Sequence, residues 1–302
     1  HNAIVWQCRR TTDVCEDLKA AGYEALIKAK SGLVLDPYFS ATKFKWILDN
    51  APTAKTLLAE GRLLAGTIDT YLMWRLSNGN VHKTDVSNAS RTSLMSLETL
   101  DWDAELLDIF GVPRDILPEI CPSSGRFAVT SGVPGLPDGL PVSGVAGDQQ
   151  SALFGQACFE PGDAKCTFGT GSFILMNAGT IPIASDTGLL STVAWQLKGQ
   201  DAVYALEGGA FVCGAAVQWL RDQLGIIENA ADIEALAESV ESAGGVEFVP
   251  ALAGLGAPYW APEARGTLTG LTRGSGKGEI ARATLDAMAV SYTHLRAHET
   301  ER

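Results

Sequence analysis

Apolar residues recur at helical spacing over residues 13–30, 42–50, 55–64 and 68–76, so the first part of the chain predicts a succession of amphipathic helices. Further on the period changes. The apolar stretch Leu140-Pro141-Val142-Ser143-Gly144-Val145 reads as a strand running into Ala146-Gly147-Asp148, after which 149–158 predicts a helix. Past the turn signal Glu160-Pro161-Gly162, residues alternate over 164–168 and 172–176 on either side of Gly169-Thr170-Gly171, which predicts a hairpin with a glycine-rich tip. Another strand over 202–206 leads through a turn at Glu207-Gly208-Gly209-Ala210 into a helix over 211–224. An acidic amphipathic helix covers about 230–242, and a last one covers 279–289. Mixed α/β architecture is therefore expected, with a domain boundary near Gly155 to Gly162.

Both ends change the picture. The chain opens His1-Asn2-Ala3-Ile4-Val5-Trp6 without an initiator Met and inside an apolar run that reads as a strand, which points to a fragment. After Ala289 the apolar stripe stops, and residues 291–302 form a polar dozen holding His294 and His298. This segment is expected to be a foreign tail outside the fold.

With 302 residues, 46% of them apolar and 19% charged, the chain is long enough for two domains and too hydrophobic to remain disordered. A formal charge of −12 with dispersed Lys and Arg excludes nucleic acid as a partner, because phosphate neutralisation needs a basic face. No window approaches 18 consecutive apolar residues, so no membrane span is expected, and the opening residues carry no secretion signal. The six cysteines, Cys8, Cys15, Cys121, Cys158, Cys166 and Cys213, form no CxxC pair and sit among small or apolar neighbours. They read as thiols of a reducing cytoplasm.

Four places could carry chemistry. Asp148 follows two glycines at the start of a helix, where it could simply cap that helix. At the C-terminal end of a strand it could equally face a ligand crevice and accept a proton from a substrate hydroxyl. The hairpin tip Thr167-Phe168-Gly169-Thr170-Gly171-Ser172 has glycines that let backbone N–H groups approach phosphate oxygens and hydroxyls that add donors, although a plain tight turn reads the same way. Gly214, Gln218 and Trp219 on the helix after the second glycine turn could line a nucleotide pocket, or Gly214 could be a close-packing point. Finally, Trp6, Tyr38 and Phe173 would form an apolar wall for a small polyol if the fold gathered them, and would otherwise be core residues.

These motifs together resemble the FGGY carbohydrate kinases. Residues 38–50 (YFSATKFKWILDN) fit the first family signature, and Gly266-Thr267-Leu268-Thr269-Gly270-Leu271 with Glu279, Ile280 and 283–286 (ATLD) fits the second. AIVWQCRRT (3–11), GLVLDPYFSATK (32–43), TDVSNASRT (84–92), VAGDQQSALFGQ (145–156), GTGSF (169–173) and GLGAPYWAPEARG (254–266) resemble the members that act on glycerol. The resemblance implies two actin-like, ribonuclease-H-like α/β domains, over 1–155 and 156–290, with the active site in an interdomain cleft. It further implies a cytoplasmic enzyme that transfers the γ-phosphate of MgATP to glycerol, giving sn-glycerol 3-phosphate and ADP. Asp148 would then be the catalytic base. Trp6, Tyr38, Gln149 and Phe173 would join Asp148 in binding glycerol, and Thr170, Gly214 and Gln218 would contact the nucleotide; no residue is expected to ligate a metal directly. A homo-oligomer of the full-length parent is compatible with the resemblance.

The family's N-terminal phosphate loop, its nearby Arg-Glu glycerol pair and its Asp-Gly-Gly adenine segment have no counterpart here. Both domains are therefore expected to be incomplete and the chain inactive alone, with strand edges exposed. The stretch matching the loop that binds fructose 1,6-bisphosphate in some members, 132–140 (GVPGLPDGL), has no Arg or Lys to hold phosphate. Two other readings stay open: an FGGY kinase for a different sugar or polyol, and a non-catalytic actin-like binding scaffold.

Overall fold

The computed structural model describes residues 3–185 and 187–300, the last seven of them by backbone alone. They divide into two compact units: residues up to Asp163 with Met176–Ala184 and Leu190–Leu206, and Ala164–Leu175 with Ser185–Leu189 and the chain from Glu207 onward.

The first unit opens with five helices: α1 (Thr12–Ala20), α2 (Glu24–Ser31), α3 (Ala41–Asn50), α4 (Pro52–Ala59) and α5 (Ile68–Leu76). The single helix expected over 13–30 is broken in two, because Gly22 takes φ +86°, a left-handed conformation that ends a helix. Pro52 starts α4 at the position where a missing N–H costs nothing. The strand expected at the start of the chain is not formed; residues 3–5 are irregular, a turn follows at Trp6 and Gln7, and among the described residues no strand offers a ladder to this run.

Next come β1 (Lys83–Asp85), α6 (Val86–Ala89), α7 (Ala104–Phe110), a 3-10 turn (Arg114–Ile116), β2 (Glu119–Cys121), β3 (Ser124–Val129), β4 (Pro141–Gly144) and α8 (Asp148–Gly155). Strands β1 and β2 pair in parallel, and β3 and β4 antiparallel. Ile27, Leu94, Leu106 and Phe110 from the helices and their connections meet Val193 and Tyr204 in one buried cluster.

Asp85 ties this unit together at the end of β1. Its fully buried carboxylate accepts from the backbone N–H groups of Ser87 (3.0 Å) and Asn88 (2.9 Å), from Asn88 Nδ2 (2.8 Å) and from Ser123 Oγ (2.7 Å). Replacing it with Ala strands four donors where water cannot reach. Asp85→Ala is expected to cost about 3 kcal/mol, read from the midpoint of urea unfolding at unchanged slope.

The strands β5 (Ala164–Phe168), β6 (Ser172–Gly179), β7 (Leu190–Gln196) and β8 (Ala202–Ala210) form a sheet in the order β5-β6-β8-β7. Sequence periodicity missed β7. Its first six residues are all buried, so the alternation that marks a half-exposed strand is absent. Strand β8 also runs on through Glu207-Gly208-Gly209-Ala210, where a turn was expected.

From Glu207 onward the second unit holds α9 (Gly214–Asp222), α10 (Asp232–Glu238), an antiparallel pair β9 (Glu247–Val249) and β10 (Thr267–Thr269), and α11 (Lys277–Thr300). Leu220, Ile227, Ile233, Ala237 and Ala281 form its helical core. The last helix does not stop at 289. The Ser291 and Thr293 hydroxyls donate back to the carbonyls of Ala287 (2.9 Å) and Ala289 (2.8 Å), so polar residues extend a helix already nucleated by its packed first half. Of the segment expected to be a foreign tail, Glu301 and Arg302 lie outside the described residues. No described helix is long and apolar enough to cross a membrane.

Candidate active site

Asp148 is the first residue of α8, and the helix is capped by Gly147 in an extended conformation. The expectation that Asp148 caps the helix is therefore corrected: its side chain takes no capping hydrogen bond. The carboxylate is exposed, and its one hydrogen bond among the described residues is a long one, from Gln149 Nε2 to Oδ2 at 3.5 Å. The main chain beneath it is fixed. Gly147 N–H donates to Ser87 Oγ at 2.9 Å, and the buried Gln150 reaches the Val193 carbonyl at 3.5 Å. A Cβ on Gly147 would lie 2.4 Å from Gln150 Oε1, so glycine is what lets the strand-to-helix turn close over that side chain. An anchored backbone carrying a solvent-facing carboxylate is the arrangement a general base needs.

Trp6 and Tyr38 stand edge to face in the same unit, with ring centroids 5.5 Å apart and planes at 87°. Both are half-buried. Tyr38 N–H donates to Asp36 Oδ1 at 2.7 Å, and Asp36 pairs with Arg9 at 2.7 Å. Arg91 also lies over these rings, its guanidinium carbon 5.7 Å from the Tyr38 ring centre and 5.3 Å from that of Phe39. The segment 84–92 thus serves two places, since Ser87 holds the turn before Asp148 and Arg91 flanks the aromatic pair. Sequence reading assigned neither residue a role. The signal for this stretch was its resemblance, as TDVSNASRT (84–92), to the family members that act on glycerol; composition alone reads a segment so dense in Ser, Thr, Asn and Asp as a loop.

Phe173, Thr170, Gly214 and Gln218 belong to the second unit. Gly169-Thr170-Gly171 forms the tip between β5 and β6, with Gly169 N–H bonded to the Gly171 carbonyl at 2.9 Å. The start of α9 locks onto this tip. The N–H groups of Cys213, Gly214 and Ala215 donate to the carbonyls of Thr170 (2.8 Å), Gly169 (2.8 Å) and Thr170 (3.0 Å). Donors that a helix start could offer a phosphate are consequently spent on the hairpin. What the tip presents to solvent is the exposed Thr170, with Gln218 exposed one turn into α9. Gly214 is a close-packing point between hairpin and helix, since a Cβ there would sit 2.6 Å from the Gly169 carbonyl oxygen. Phe173 is 8% exposed, and its ring lies against Gly209 of β8, where a Cβ would come within 2.9 Å of it. Gly209, expected in a turn, instead makes room for an aromatic ring.

Among the described residues no cluster of three or more His, Cys, Asp or Glu side chains is gathered to hold a metal ion. A cavity of about 450 Å³ between α3, α4 and α5 contains none of the candidate residues; its walls are mostly apolar, among them Phe44, Leu57, Leu63 and Trp74, with Arg62, Thr70 and His82 adding polar groups. The cysteines are half-buried or buried, and burial pushes the Cys15 thiol up to about 12, which leaves it inert.

Residues 1–155 match the N-terminal domain of the FGGY family of carbohydrate kinases and residues 164–298 its C-terminal domain. The chain is 64% identical over 290 residues to a glycerol kinase of Bdellovibrio bacteriovorus, covering 96% of this chain and 59% of that protein. It is 55% identical over 288 residues to a glycerol kinase of Halothermothrix orenii, covering 95% and 58%. The crystal structure of Plasmodium falciparum glycerol kinase with ADP superposes with a TM-score of 0.85 at 36% identity, over 99% of this chain and 60% of that one. A ligand-bound xylulose kinase from Lactobacillus acidophilus gives 0.81 at 25% identity, over 100% and 60%. The chain spans about three fifths of the length of these relatives. With both family domains matched in order and the α/β architecture of its solved relatives, the chain belongs to the FGGY family of carbohydrate kinases.

Proposed function

We propose that this chain is part of an enzyme that transfers the γ-phosphate of MgATP to a terminal hydroxyl of glycerol. The observation that carries the reading is Asp148: a carboxylate on a rigid turn, exposed and relieved of capping duty. In the reaction the glycerol oxygen attacks the γ-phosphorus, the bond to the β–γ bridging oxygen breaks, and ADP leaves with that electron pair. The Asp148 carboxylate takes the hydroxyl proton. Phosphoryl transfer asks little covalent chemistry of a protein, so positioning and charge dominate. Trp6 and Tyr38 would pack the carbon side of the triol, with Gln149 donating to a hydroxyl and Phe173 completing the wall. Thr170, Gly214 and Gln218 would form the nucleotide side, and Mg²⁺ would arrive with ATP to screen its phosphate charge. The glycerol kinases among its relatives support glycerol over a ketose, and the supply of ATP supports a cytoplasmic location.

The test is a full-length chimera in which residues 3–290 replace the corresponding segment of the Bdellovibrio bacteriovorus glycerol kinase. ADP release with glycerol is expected to exceed release with xylulose or erythritol by at least about a hundredfold in kcat/KM, the scale set by a site built around a substrate's hydroxyls. Equal rates with xylulose would transfer the reading to a sugar kinase, and no release with any of the three would favour a binding scaffold. In the same chimera Tyr38→Ala is expected to raise the glycerol KM about tenfold with the ATP KM unchanged, which is the signature of lost substrate binding. An unchanged glycerol KM would remove Tyr38 from the site.

A further inference from the structure

We infer that Lys43 is the positioning residue of the aromatic wall: its side chain clamps the main chains of Trp6 and Tyr38 together, so that their rings hold the edge-to-face arrangement, and it thereby tunes polyol affinity without touching the polyol. The inference rests on the reading of Trp6 and Tyr38 as substrate contacts.

Lys43 lies in the first turn of α3 and is only 6% exposed, an unusual place for a lysine. Its Nζ makes no salt bridge among the described residues. It donates instead to two backbone carbonyls, that of Tyr38 at 3.0 Å and that of Trp6 at 3.3 Å. These two residues are far apart along the chain, and Trp6 sits in an irregular run outside any sheet. A single buried amine therefore bridges their two backbones. The ammonium suits the task because it has several donors and no acceptor, and can serve two carbonyls at once.

Neighbouring groups complete the clamp. Tyr38 is held at its N–H by Asp36 and at its carbonyl by Lys43, while Asp36 is paired to Arg9, three residues beyond Trp6. The groups facing the amine are Asp36, Arg9, Cys8 and Cys15. Burial drives the Lys43 pKa down to about 8, with Cys8 and Asp36 opposing the fall and Arg9 adding to it. The folded amine thus gives up its proton above about 8, whereas the unfolded one keeps it to the ordinary lysine value of 10.5. Between those limits the unfolded chain binds more protons, so this group makes stability rise with pH. Cys15 acts oppositely only above its ordinary value of 9.0, where the unfolded thiol ionises and the folded one, raised to about 12, does not. Cys8, whose thiol is held below its ordinary value of 9.0 by hydrogen bonds from Arg10, acts in the same direction as Lys43, so below 9.0 the rise belongs to the two groups together.

The experiment is a double-mutant cycle on the glycerol KM in the full-length chimera, using Lys43→Met, Tyr38→Ala and the pair. Lys43→Met is expected to raise the glycerol KM about tenfold at nearly constant ATP KM. The double variant should be scarcely worse than Tyr38→Ala alone, because both changes spoil the same ring, and Lys43→Arg should recover part of the loss. Multiplicative effects, or an unchanged KM in Lys43→Met, would overturn the inference. Should Tyr38→Ala leave the KM unchanged, the substrate reading fails instead. The hold of Lys43 on the rings is then decided by ring-proton NOEs between Trp6 and Tyr38, expected in the parent chimera and lost in Lys43→Met; NOEs that persist would overturn it. If Lys43→Met does not fold, the parent chimera decides: a scalar coupling from Lys43 Nζ to the carbonyl carbons of Trp6 and Tyr38 is expected, and its absence refutes the clamp.

Discussion

Asp148→Asn in the full-length chimera is expected to lower kcat by about 10²- to 10⁴-fold, the range that a positioned proton acceptor contributes. The amide keeps the size and shape of the carboxylate but cannot take a proton from the attacking hydroxyl. Nucleotide affinity should stay within about twofold, because the residues read as nucleotide contacts lie on the hairpin and α9, not on α8. Stability should also hold. Asp148 is exposed and caps nothing, with a single long hydrogen bond from Gln149 to lose. That separation of activity from stability is the useful feature of the variant. Near-normal turnover would eliminate Asp148 as the base, and a large fall in the melting temperature would show a structural duty that its exposed position does not suggest.

The second large effect is expected at Gly214. Gly214→Val should abolish saturable ADP binding in the chimera, or weaken it by at least about tenfold, as read by calorimetric titration. Even the Cβ alone would sit 2.6 Å from the Gly169 carbonyl oxygen and 3.4 Å from its carbon, so the hairpin tip must move away from the start of α9. Movement breaks the three hydrogen bonds from Cys213, Gly214 and Ala215 that lock the tip, and with them the place of Thr170. Close-packed backbone has little room to yield. Gly155→Ala supplies the control: a Cβ there meets nothing within 4 Å, and its ADP affinity should equal that of the parent chimera. Undiminished ADP binding in Gly214→Val would detach the hairpin from nucleotide recognition.

Much of this was legible beforehand. Helix α3 follows from periodicity and the hairpin β5–β6 from its glycine tip, whereas α5 forms where expected but turns Ile68, Tyr71 and Leu72 outward and buries Asp69 and Thr70. Asp148 was found from local pattern too, as a lone carboxylate where strand gives way to helix. What escaped was structure whose cause is non-local. Strand β7 is buried along nearly its whole length and so carries no alternation, and α1 and α2 look like one helix until Gly22 takes its left-handed turn.

The order of amino acids by itself determined the family and the α/β class and nominated the candidate residues for the chemistry, since periodicity and signature motifs are properties of neighbours along a chain. Only the tertiary structure decided how those residues are held. That Asp148 is exposed and does not cap its helix, that the first donors of α9 are consumed by hairpin carbonyls, and that a buried lysine joins two aromatic residues remote in sequence are all facts of hydrogen-bond partnership. A buried donor must find an acceptor wherever the fold brings one, and no local pattern records which acceptor that is.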